Sequence, residues 1–513
     1  MQLKQKSFVW RSLIMSGALA FSAAAYANSI AWGACPNASL ADGYRCGFLT
    51  VPLSYKNPSQ ETTQVFVMQY TKVGAHPSKA LYFNDGGPWG DQTKGMPQYI
   101  PFLDPNFTNQ YTIFTFDPRG VGRSPHLSCD TDLNQDIFMD NPLVPNGIEN
   151  LVAVSEKKWQ VCASQYNGFQ NHVGTIETVQ DLDAVREAVG FSKMSFLAYS
   201  YGTQLGSLYL MDYPQHIDKM ILDSVMPPTR SIITLSQDQA AAFEETLHHF
   251  FQQCDSNTHC PLYPNAEKAY DNALSILSKH TVPTGEKTDH LPLNTVEFLN
   301  AVEVALPFTD SSPESINPTM FVGNMWWVLA SGIRDINVNN DGTQLQYLGG
   351  IIGGNYVKGR FTADHSEYNA VLCTDYDDHP DAAQIYQQAA DLRRDYPLMG
   401  AFVGSEFLSA CAGWTGRTSQ TLPKLQYTAD TPKIMLACND HDSETPYVWC
   451  QQLAAVVPGS VIVHFKGSGH GIYLSNEPPG ICVKDKVNYY LLQGGLPAPN
   501  TICDDTFNPT AAS

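Results

Sequence analysis

The sequence is poor in charged residues, and positive charge is the scarcer kind. Only 16% of its 513 residues are charged, and 30 lysines and arginines stand against 50 aspartates and glutamates. The predicted signal described below carries three positive charges, so the rest of the chain has a net charge of −20 − 3 = −23. Nucleic acids and anionic membranes bind proteins through Lys and Arg that displace counterions. The composition therefore argues against both partners, although acidity alone names no substrate.

Long apolar runs are also missing beyond the start of the chain. No later stretch approaches 18 consecutive apolar residues, the length typical of a membrane-spanning helix. The start has a basic segment, an apolar or small stretch over 12–25, and the A-x-A site Ala25-Tyr26-Ala27. Its apolar run is too short to anchor the chain comfortably, so we predict a cleaved signal peptide over 1–27. The mature protein is expected to be secreted or periplasmic, without stable membrane insertion.

The sequence has no C-x-x-C pair, the ligand spacing of many zinc sites. All twelve cysteines follow residue 27, and an even number in an exported chain predicts disulfides. We predict neither a metal nor a cofactor. Pairing neighbours in chain order, one of several possible connectivities, gives Cys35–Cys46, Cys129–Cys162, Cys254–Cys260, Cys373–Cys411, Cys438–Cys450 and Cys482–Cys503.

The first half of the mature chain alternates between β-rich runs and helical patterns. Several of the runs are apolar on both faces, as central parallel strands are when helices cover both sides of a sheet. This alternation predicts an α/β fold with a mostly parallel central sheet. The helices are expected at 178–189 and 202–213. The strand candidates are 48–55, 64–72, 80–83, 111–116, 194–198 and 219–222.

From about residue 227 helical periodicity takes over, and two strand patterns return at 433–437 and 461–465. We therefore predict a helical cap over 228–425, inserted between core segments 28–227 and 426–513. An ordinary second helical domain is the alternative interpretation. The helical patterns cover 237–253, 295–306, 319–333 and 383–395, whereas the glycines at 349, 350, 353 and 354 predict a flexible loop.

Ser200 is the candidate nucleophile. A buried strand pattern ends at Ala198, and a helical pattern begins at Gly202, so Ser200 lies in a sharp strand-to-helix turn. Such a turn exposes the serine and requires small residues two positions before and after it. Here those residues are Ala198 and Gly202, so Ala198 departs from the usual G-x-S-x-G pattern. The start of the helix would also favour an oxyanion.

A serine needs a base, and in this topology the acid and the histidine follow the serine along the chain. His470 follows the last strand pattern between two glycines, which makes it the candidate general base. Asp442 follows the preceding strand, and we favour it as the acid over Asp440 and Glu444. The two N–H groups that stabilise the oxyanion are expected from Tyr201 and from Gly87, which follows the third strand.

Together these segments resemble the secreted tripeptidyl aminopeptidase and prolyl aminopeptidase branch of the α/β hydrolases. The resemblance covers about 45–227 and 430–505 and implies an α/β-hydrolase fold with a helical cap. It also implies a serine exopeptidase whose partners are peptides with a free N-terminus. It rests on Gly86-Gly87-Pro88, the segment 117–124, Tyr199-Ser200-Tyr201-Gly202-Thr203, Leu222-Asp223, Asp442 before Thr445-Pro446-Tyr447, Gly469-His470-Gly471, and a C-terminal segment with Cys482 and Cys503.

An aminopeptidase must bind an ammonium group, and buried carboxylates suit that task. Asp375 resembles a recurring segment of the family near the end of the cap, and Glu244 and Glu245 are further candidates, although exposed helix charges are an alternative for the two glutamates. Trp89 stands where the family usually has glycine, so its indole is expected to narrow or alter the acyl site.

Three functions are compatible with these residues. The first is an aminopeptidase that forms an acyl-enzyme on Ser200. The second is an esterase or lipase-like hydrolase with the same Ser, His and Asp, because only the pocket distinguishes the two. The third is a non-catalytic binding protein on the same fold, which the complete set of reactive residues disfavours.

Overall fold

The structure is a computed structural model, and the predicted signal segment 1–27 and Trp89 lie outside the residues that it describes. The described residues are 29–37, 40, 42–58, 61–88, 91–129, 141–308, 325–353, 356–357, 360–361, 365–416, 421–473 and 478–504.

Nine strands form one central sheet, and two short strands form a separate hairpin. In chain order the strands are β1 (Tyr44–Pro52), β2 (Thr62–Tyr70), β3 (Lys79–Asn84), β4 (Tyr111–Asp117), β5 (Met194–Ser200), β6 (Ile217–Val225), β7 (Tyr356–Val357), β8 (Arg360–Phe361), β9 (Met435–His441), β10 (Val461–Ser468) and β11 (Thr501–Cys503). Each predicted strand is present within a few residues, whereas β7, β8 and β11 were not predicted.

The order in the large sheet is β1-β2-β4-β3-β5-β6-β9-β10-β11. Strand β2 runs antiparallel to β1 and β4, and the pairs from β4 through β11 are parallel. Every residue of β4 is buried, because helices cover both faces of the sheet there. The predicted α/β class with a mostly parallel sheet is confirmed. Strands β5, β6, β9 and β10 lie side by side, so the loops that follow them share one edge.

Helices surround this sheet and fill the region between β6 and β9. Those in the described residues are α1 (Gln92–Tyr99), α2 (Pro105–Gln110), α3 (Gly147–Tyr166), α4 (Thr175–Ala188), α5 (Tyr201–Asp212), α6 (Ile232–Ser256), α7 (Ala266–Leu277), α8 (Thr295–Ala305), α9 (Met325–Asn339), α10 (Thr343–Gln346), α11 (Ser366–Asp375), α12 (Ala382–Asp395), α13 (Gly400–Ala410), α14 (Tyr447–Val456) and α15 (Pro478–Gln493).

The helices between β6 and β9 have an apolar core of their own. Phe243 of α6, Leu299 of α8, Ile333 of α9 and Phe402 of α13 are buried together there. A second core joins the central sheet to its flanking helices. These helices occupy the region predicted as a cap, while the boundaries at 227 and 425 stay a prediction.

The glycine-rich segment at 349–353 is wrongly predicted as a flexible loop. Tyr347–Gly353 forms a π-helical turn. A Cβ atom on Gly349 would lie 1.9 Å from the carbonyl oxygen of Glu297, so this glycine lets the turn pack directly on α8. Gly354 lies outside the described residues.

All six predicted disulfides are present with the predicted pairing. One of them, Cys438–Cys450, ties β9 to α14 on either side of Asp442. A search of the described residues finds no helix that is both long and apolar enough to cross a membrane.

Candidate active site

Ser200 lies at the turn between β5 and α5, with φ 52° and ψ −128°. This conformation is costly for a residue with a side chain, and such strain is typical of a serine turned out of a sheet toward substrate. The turn explains the small neighbours. A Cβ atom on Gly202 would lie 2.3 Å from Asn84 Oδ1 and 3.0 Å from the methyl group of Ala198. Glycine at 202 therefore leaves room for alanine at 198.

His470 and Asp442 form a direct pair. The Nδ1 atom of His470 lies 3.0 and 3.1 Å from the two carboxylate oxygens of Asp442. The Asp442 carboxylate is buried and also accepts hydrogen bonds from the backbone N–H groups of Glu444 and Thr445 and from the Thr445 hydroxyl. These contacts fix the carboxylate, so it can hold the imidazole in one orientation.

The loop that carries His470 is bound to the end of β6. The N–H of Gly471 donates to Ser224 Oγ over 2.9 Å, and the N–H groups of Ile472 and Tyr473 donate to the buried Asp223 carboxylate. A Cβ atom on Gly471 would lie 3.5 Å from the ring of Tyr199, the residue before Ser200. The imidazole is thereby carried to the edge of the sheet that holds Ser200.

Within the described residues, the hydrogen bonds of His470 reach Asp442 and Thr445 and none joins it to Ser200. In ligand-free sites such a nucleophile–base bond is often long, and it tightens when substrate binds. A strained serine and an imidazole–carboxylate pair carried on the same sheet edge are the groups that can activate an alcohol for attack on a carbonyl carbon.

The pKa of His470 is set by opposing effects. Burial lowers the pKa, but the charge and hydrogen bond of Asp442, with smaller contributions from Glu444 and Asp223, raise it to about 9. The imidazole therefore carries a proton at neutral pH in the ligand-free site. A general base must first lose that proton, so this site is built to work on the alkaline side.

The loop at 84–88, here called the oxyanion loop, meets the serine directly. Gly86 and Gly87 have φ values of 110° and 112°, which favour glycine. A Cβ atom on Gly86 would lie 3.2 Å from Cβ of Ser200. Among the described residues, the N–H of Gly87 has no hydrogen-bond acceptor, and the N–H of Tyr201 begins α5, where helical N–H groups lack an intrahelical partner. The N–H groups of Gly87 and Tyr201, the two predicted oxyanion donors, are therefore available to a substrate oxygen.

The carboxylates predicted to bind substrate have other contacts. Asp375 is buried and accepts hydrogen bonds from the Thr175 N–H and hydroxyl and from Gln204 Nε2. The buried Glu244 caps α13 by accepting from the N–H groups of residues 398–400. These contacts give both residues structural roles and lend no support to contact with substrate. Glu245 is exposed, 3.8 Å from Nδ1 of His441.

Three other glutamates, here called the glutamate cluster, interact electrostatically, and one of them, Glu444, also interacts with His470: Glu303 of α8, Glu406 of α13 and Glu444. Burial, followed by repulsion from Glu406 and Glu444, raises the pKa of Glu303 well above its usual value. Burial also raises the pKa values of Glu406 and Glu444 to about 7, and the charge of His470 partly offsets the effect at Glu444. Each of the three residues is half-buried and keeps some accessible surface.

The glutamate cluster contains no cationic side chain, although the charge of His470 acts on Glu444. None of its three carboxylates has a hydrogen-bond donor or an ion-pair partner among the described residues. The same residues contain no group of three or more His, Cys, Asp or Glu side chains placed to hold a metal ion. Unpaired buried carboxylates are costly, so this arrangement suits an organic cation that arrives with the substrate.

The chain is similar to known hydrolases along most of its length. A family model described as alpha/beta hydrolase fold matches residues 80–477. The chain is 26% identical over 485 residues to serine protease Hip1 of Mycobacterium tuberculosis, covering 92% of this chain and 91% of the relative. It is 26% identical over 515 residues to a tripeptidyl aminopeptidase of Streptomyces coelicolor, covering 96% and 89%. Carboxylesterase B of M. tuberculosis is 27% identical over 468 residues, covering 90% and 86%.

Proposed function

The chain belongs to the α/β-hydrolase family, and from that premise we propose that it is an exported serine aminopeptidase. It would release single residues or short peptides from the free N-terminus of peptide substrates. The relatives named as a serine protease and a tripeptidyl aminopeptidase support this activity, since both match along nearly the whole chain. The six disulfides support an exported protein.

The proposed reaction proceeds through an acyl-enzyme. His470 takes the hydroxyl proton as Ser200 Oγ bonds to the carbonyl carbon of the substrate, and Asp442 orients the imidazole and stabilises its positive form. The N–H groups of Gly87 and Tyr201 stabilise the oxyanion. His470 then gives the proton to the leaving amine as the C–N bond breaks. Water, activated by the same imidazole, releases the N-terminal peptide and restores Ser200.

The single observation that favours an aminopeptidase is the glutamate cluster, which interacts with His470 through Glu444. An ester without an amino group brings no positive charge to offset three carboxyl groups whose ionisation is disfavoured by burial. The α-ammonium group of a peptide N-terminus is attracted to them and provides the missing positive charge. We therefore assign ammonium recognition to Glu303, Glu406 and Glu444 in place of Asp375, Glu244 and Glu245.

Paired substrates test this assignment. The purified protein is incubated with a tripeptide anilide that has a free amino group and with its N-acetylated counterpart. We expect kcat/KM to be at least about 100-fold higher for the free amine, since a buried charge-assisted hydrogen bond contributes about 1.5–3 kcal/mol and several are available. Equal turnover of the two substrates would contradict the proposal.

Variants of the glutamate cluster test which residues cause the preference for a free amino group. Glu303→Gln and Glu406→Gln should each raise KM for the free-amine substrate by about tenfold or more and leave the acetylated substrate unaffected. The matched control is Glu245→Gln, because Glu245 is exposed on α6. It should leave both substrates unchanged.

An esterase is the second candidate function, and the carboxylesterase relative favours it. Strong hydrolysis of p-nitrophenyl esters together with no release from peptides would select it over the aminopeptidase. A non-catalytic protein on this fold would fail to react at Ser200 with a fluorophosphonate probe, whereas we expect stoichiometric labelling. For export, N-terminal sequencing of the protein recovered from the periplasm or the medium should begin at Asn28.

A further inference from the structure

Both hydrogen-bonding atoms of the Gln92 side chain bind the oxyanion loop. Gln92 lies in the first turn of α1 and is 5% exposed. Its Oε1 atom accepts from the N–H of Asp85 over 3.1 Å, and its Nε2 atom donates to the carbonyl oxygen of Gly86 over 2.8 Å. From the other side, Asn84 Oδ1 accepts from the N–H of Gly86 over 2.9 Å. The two amide side chains therefore bind three backbone polar groups of the loop: the N–H of Asp85 and both the N–H and the C=O of Gly86.

The contact with the Gly86 carbonyl determines where the next N–H points. The C=O of Gly86 and the N–H of Gly87 belong to one peptide unit, which is trans, since the cis bonds of the described residues are Gly87–Pro88 and Tyr263–Pro264. In a planar trans peptide the C=O and N–H point in opposite directions. Because Gln92 holds the oxygen, the Gly87 N–H points away from Gln92. Within the described residues the Gly87 N–H has no hydrogen-bond acceptor, and it follows Gly86, the residue of the loop that contacts Ser200.

Gln92 is itself held rigidly. The next residue, Thr93, donates through its N–H and its hydroxyl to the buried Asp117 carboxylate, over 2.8 and 3.0 Å. Asp117 also accepts from the N–H of Arg123 over 2.9 Å. The start of α1 is thereby tied to the end of β4. A rotation of the Gly86–Gly87 peptide would break the bond from Gln92 Nε2 to the Gly86 carbonyl oxygen, and the anchored start of α1 could not follow to restore it.

We infer that Gln92 is a positioning residue of the oxyanion hole, which keeps the Gly87 N–H aimed at the oxygen of the tetrahedral intermediate. The inference rests on the proposed serine acyl transfer and applies equally to peptide and ester substrates. Gln92 touches neither substrate nor Ser200 in this role. It acts through the loop, so its loss should affect the transition state more than substrate binding.

The test compares Gln92→Leu and Gln92→Glu with the wild-type protein. Leu removes both loop contacts, while Glu retains the size and the acceptor but loses the donor to Gly86. Gln98→Leu is the matched control, because Gln98 lies on the same helix and donates only to the carbonyl of Lys94. We expect both Gln92 variants to lose about 10- to 100-fold in kcat, with KM within about twofold, given that removing an oxyanion donor costs about 10²–10³-fold. The control should match wild type.

A second measurement distinguishes a positioning role of Gln92 from a general disturbance of the active site. A tripeptide aldehyde bonds to Ser200 Oγ as a tetrahedral hemiacetal whose oxygen occupies the oxyanion position, while the tripeptide acid, the product, does not. In the Gln92 variants the Ki of the aldehyde should rise at least about tenfold and the Ki of the acid should stay unchanged. If Gln92→Leu fails to fold, Gln92→Glu alone decides, and its activity deficit should shrink at low pH, where a protonated Glu donates to Gly86.

Two results would overturn the inference: unchanged kcat in both Gln92 variants, or equal weakening of aldehyde and acid. Failure of the proposed function appears earlier, in the wild-type protein, as absent fluorophosphonate labelling of Ser200. If the wild type cleaves only esters, the same comparison is made with a p-nitrophenyl ester and an acyl aldehyde.

Discussion

Negative charge surrounds the imidazole of His470. Asp442 binds its Nδ1 atom, and Glu444 and Asp223 contribute further to a pKa of about 9. Glu444 is also the member of the glutamate cluster that connects substrate binding with the base. A substrate ammonium beside Glu444 would offset the charge of that carboxylate. It would thereby lower the pKa of His470 and release the base when it is needed.

This coupling predicts a pH profile. The kcat/KM value should rise with pH along a limb near 9, the pKa of His470 in the free enzyme, since only neutral imidazole accepts the serine proton. Glu444→Gln removes a charge that raises this pKa, so the limb should move to lower pH. The rate of fluorophosphonate labelling against pH measures the shift without an amino group in the probe. Glu245→Gln is the control, and an unmoved limb in Glu444→Gln would refute the coupling.

The turn that holds Ser200 gives a second prediction, which concerns its small neighbours Ala198 and Gly202. Gly202→Ala places a methyl group 2.3 Å from Asn84 Oδ1, an atom that also binds the oxyanion loop. We expect it to lower kcat at least about 100-fold, as loss of an oxyanion donor does. Ala198→Gly, the reciprocal change, restores the usual pattern and should cost only about 1 kcal/mol of stability. Steady-state rates and urea unfolding of both variants check this; an active Gly202→Ala would argue against the close packing.

The sequence predicts a site residue only where the neighbours that identify it lie close to it along the chain. Ser200, His470 and Gly87 are each flanked by residues whose small size the chemistry requires, so a short segment identifies them. The glutamate cluster carries no such signal, because its members lie at 303, 406 and 444 and meet only in the folded chain. The one usable sign is a lone acid in an apolar helical segment, as Glu406 is in α13.

Among the elements, strands and helices with a clear apolar run or a regular helical period were predictable, and those without either were not. The amphipathic helices α6 and α12 and the strands of the parallel sheet match their predicted segments closely. Helix α13 was missed because Gly400–Ala410 is apolar around its whole circumference and contains two glycines, which removes the helical period. Strand β11 was missed because its three residues depend on pairing with β10.

Helix α11 illustrates an element held by one buried side chain. Asp375 at its last position binds Thr175 at the start of α4 and Gln204 of α5, the helix that follows Ser200. We predict that Asp375→Ala lowers the free energy of unfolding by about 1–3 kcal/mol, because it leaves buried donors without an acceptor. KM for the free-amine substrate should stay unchanged, since the ammonium is assigned elsewhere.

The control for that variant is Asp377→Asn, which removes an exposed ion pair with Arg230 and should cost less than about 1 kcal/mol. Denaturant unfolding gives the stabilities, and initial rates give KM. A large rise in KM at unchanged stability would instead return Asp375 to the role predicted from the sequence.

Over the whole molecule, buried acids with raised pKa values are unusually numerous. Burial raises the pKa of Asp117 and Asp223 to about 6 and of Asp85, Glu177 and Asp375 to about 7. An acid whose pKa is higher in the folded than in the unfolded state binds more protons when folded. Its contribution to stability is therefore complete below the unfolded pKa of about 4 and declines as pH rises through the folded pKa of about 6 to about 7.

Two other features act in the same direction. His470 has a folded pKa raised to about 9, so its contribution is complete below about 6.5 and is lost as pH rises through 9. The net charge of −20 adds self-repulsion that grows as carboxylates ionise. Asp183, whose pKa its hydrogen bonds lower despite burial, opposes this trend only at pH values below about 4.

We therefore predict that the melting temperature falls steadily between pH 5 and pH 8, measured by calorimetry with the disulfides intact. High salt separates the effect of the buried acids from that of the net negative charge, because it screens repulsion among exposed charges but leaves the buried acids unaffected. Most of the slope should persist in salt if the buried acids dominate. Glu177→Gln removes one such acid and should make the slope shallower, whereas the exposed control Glu245→Gln should not. A melting temperature that is constant or rises across this range would show that these carboxyl groups do not hold their protons in the folded protein.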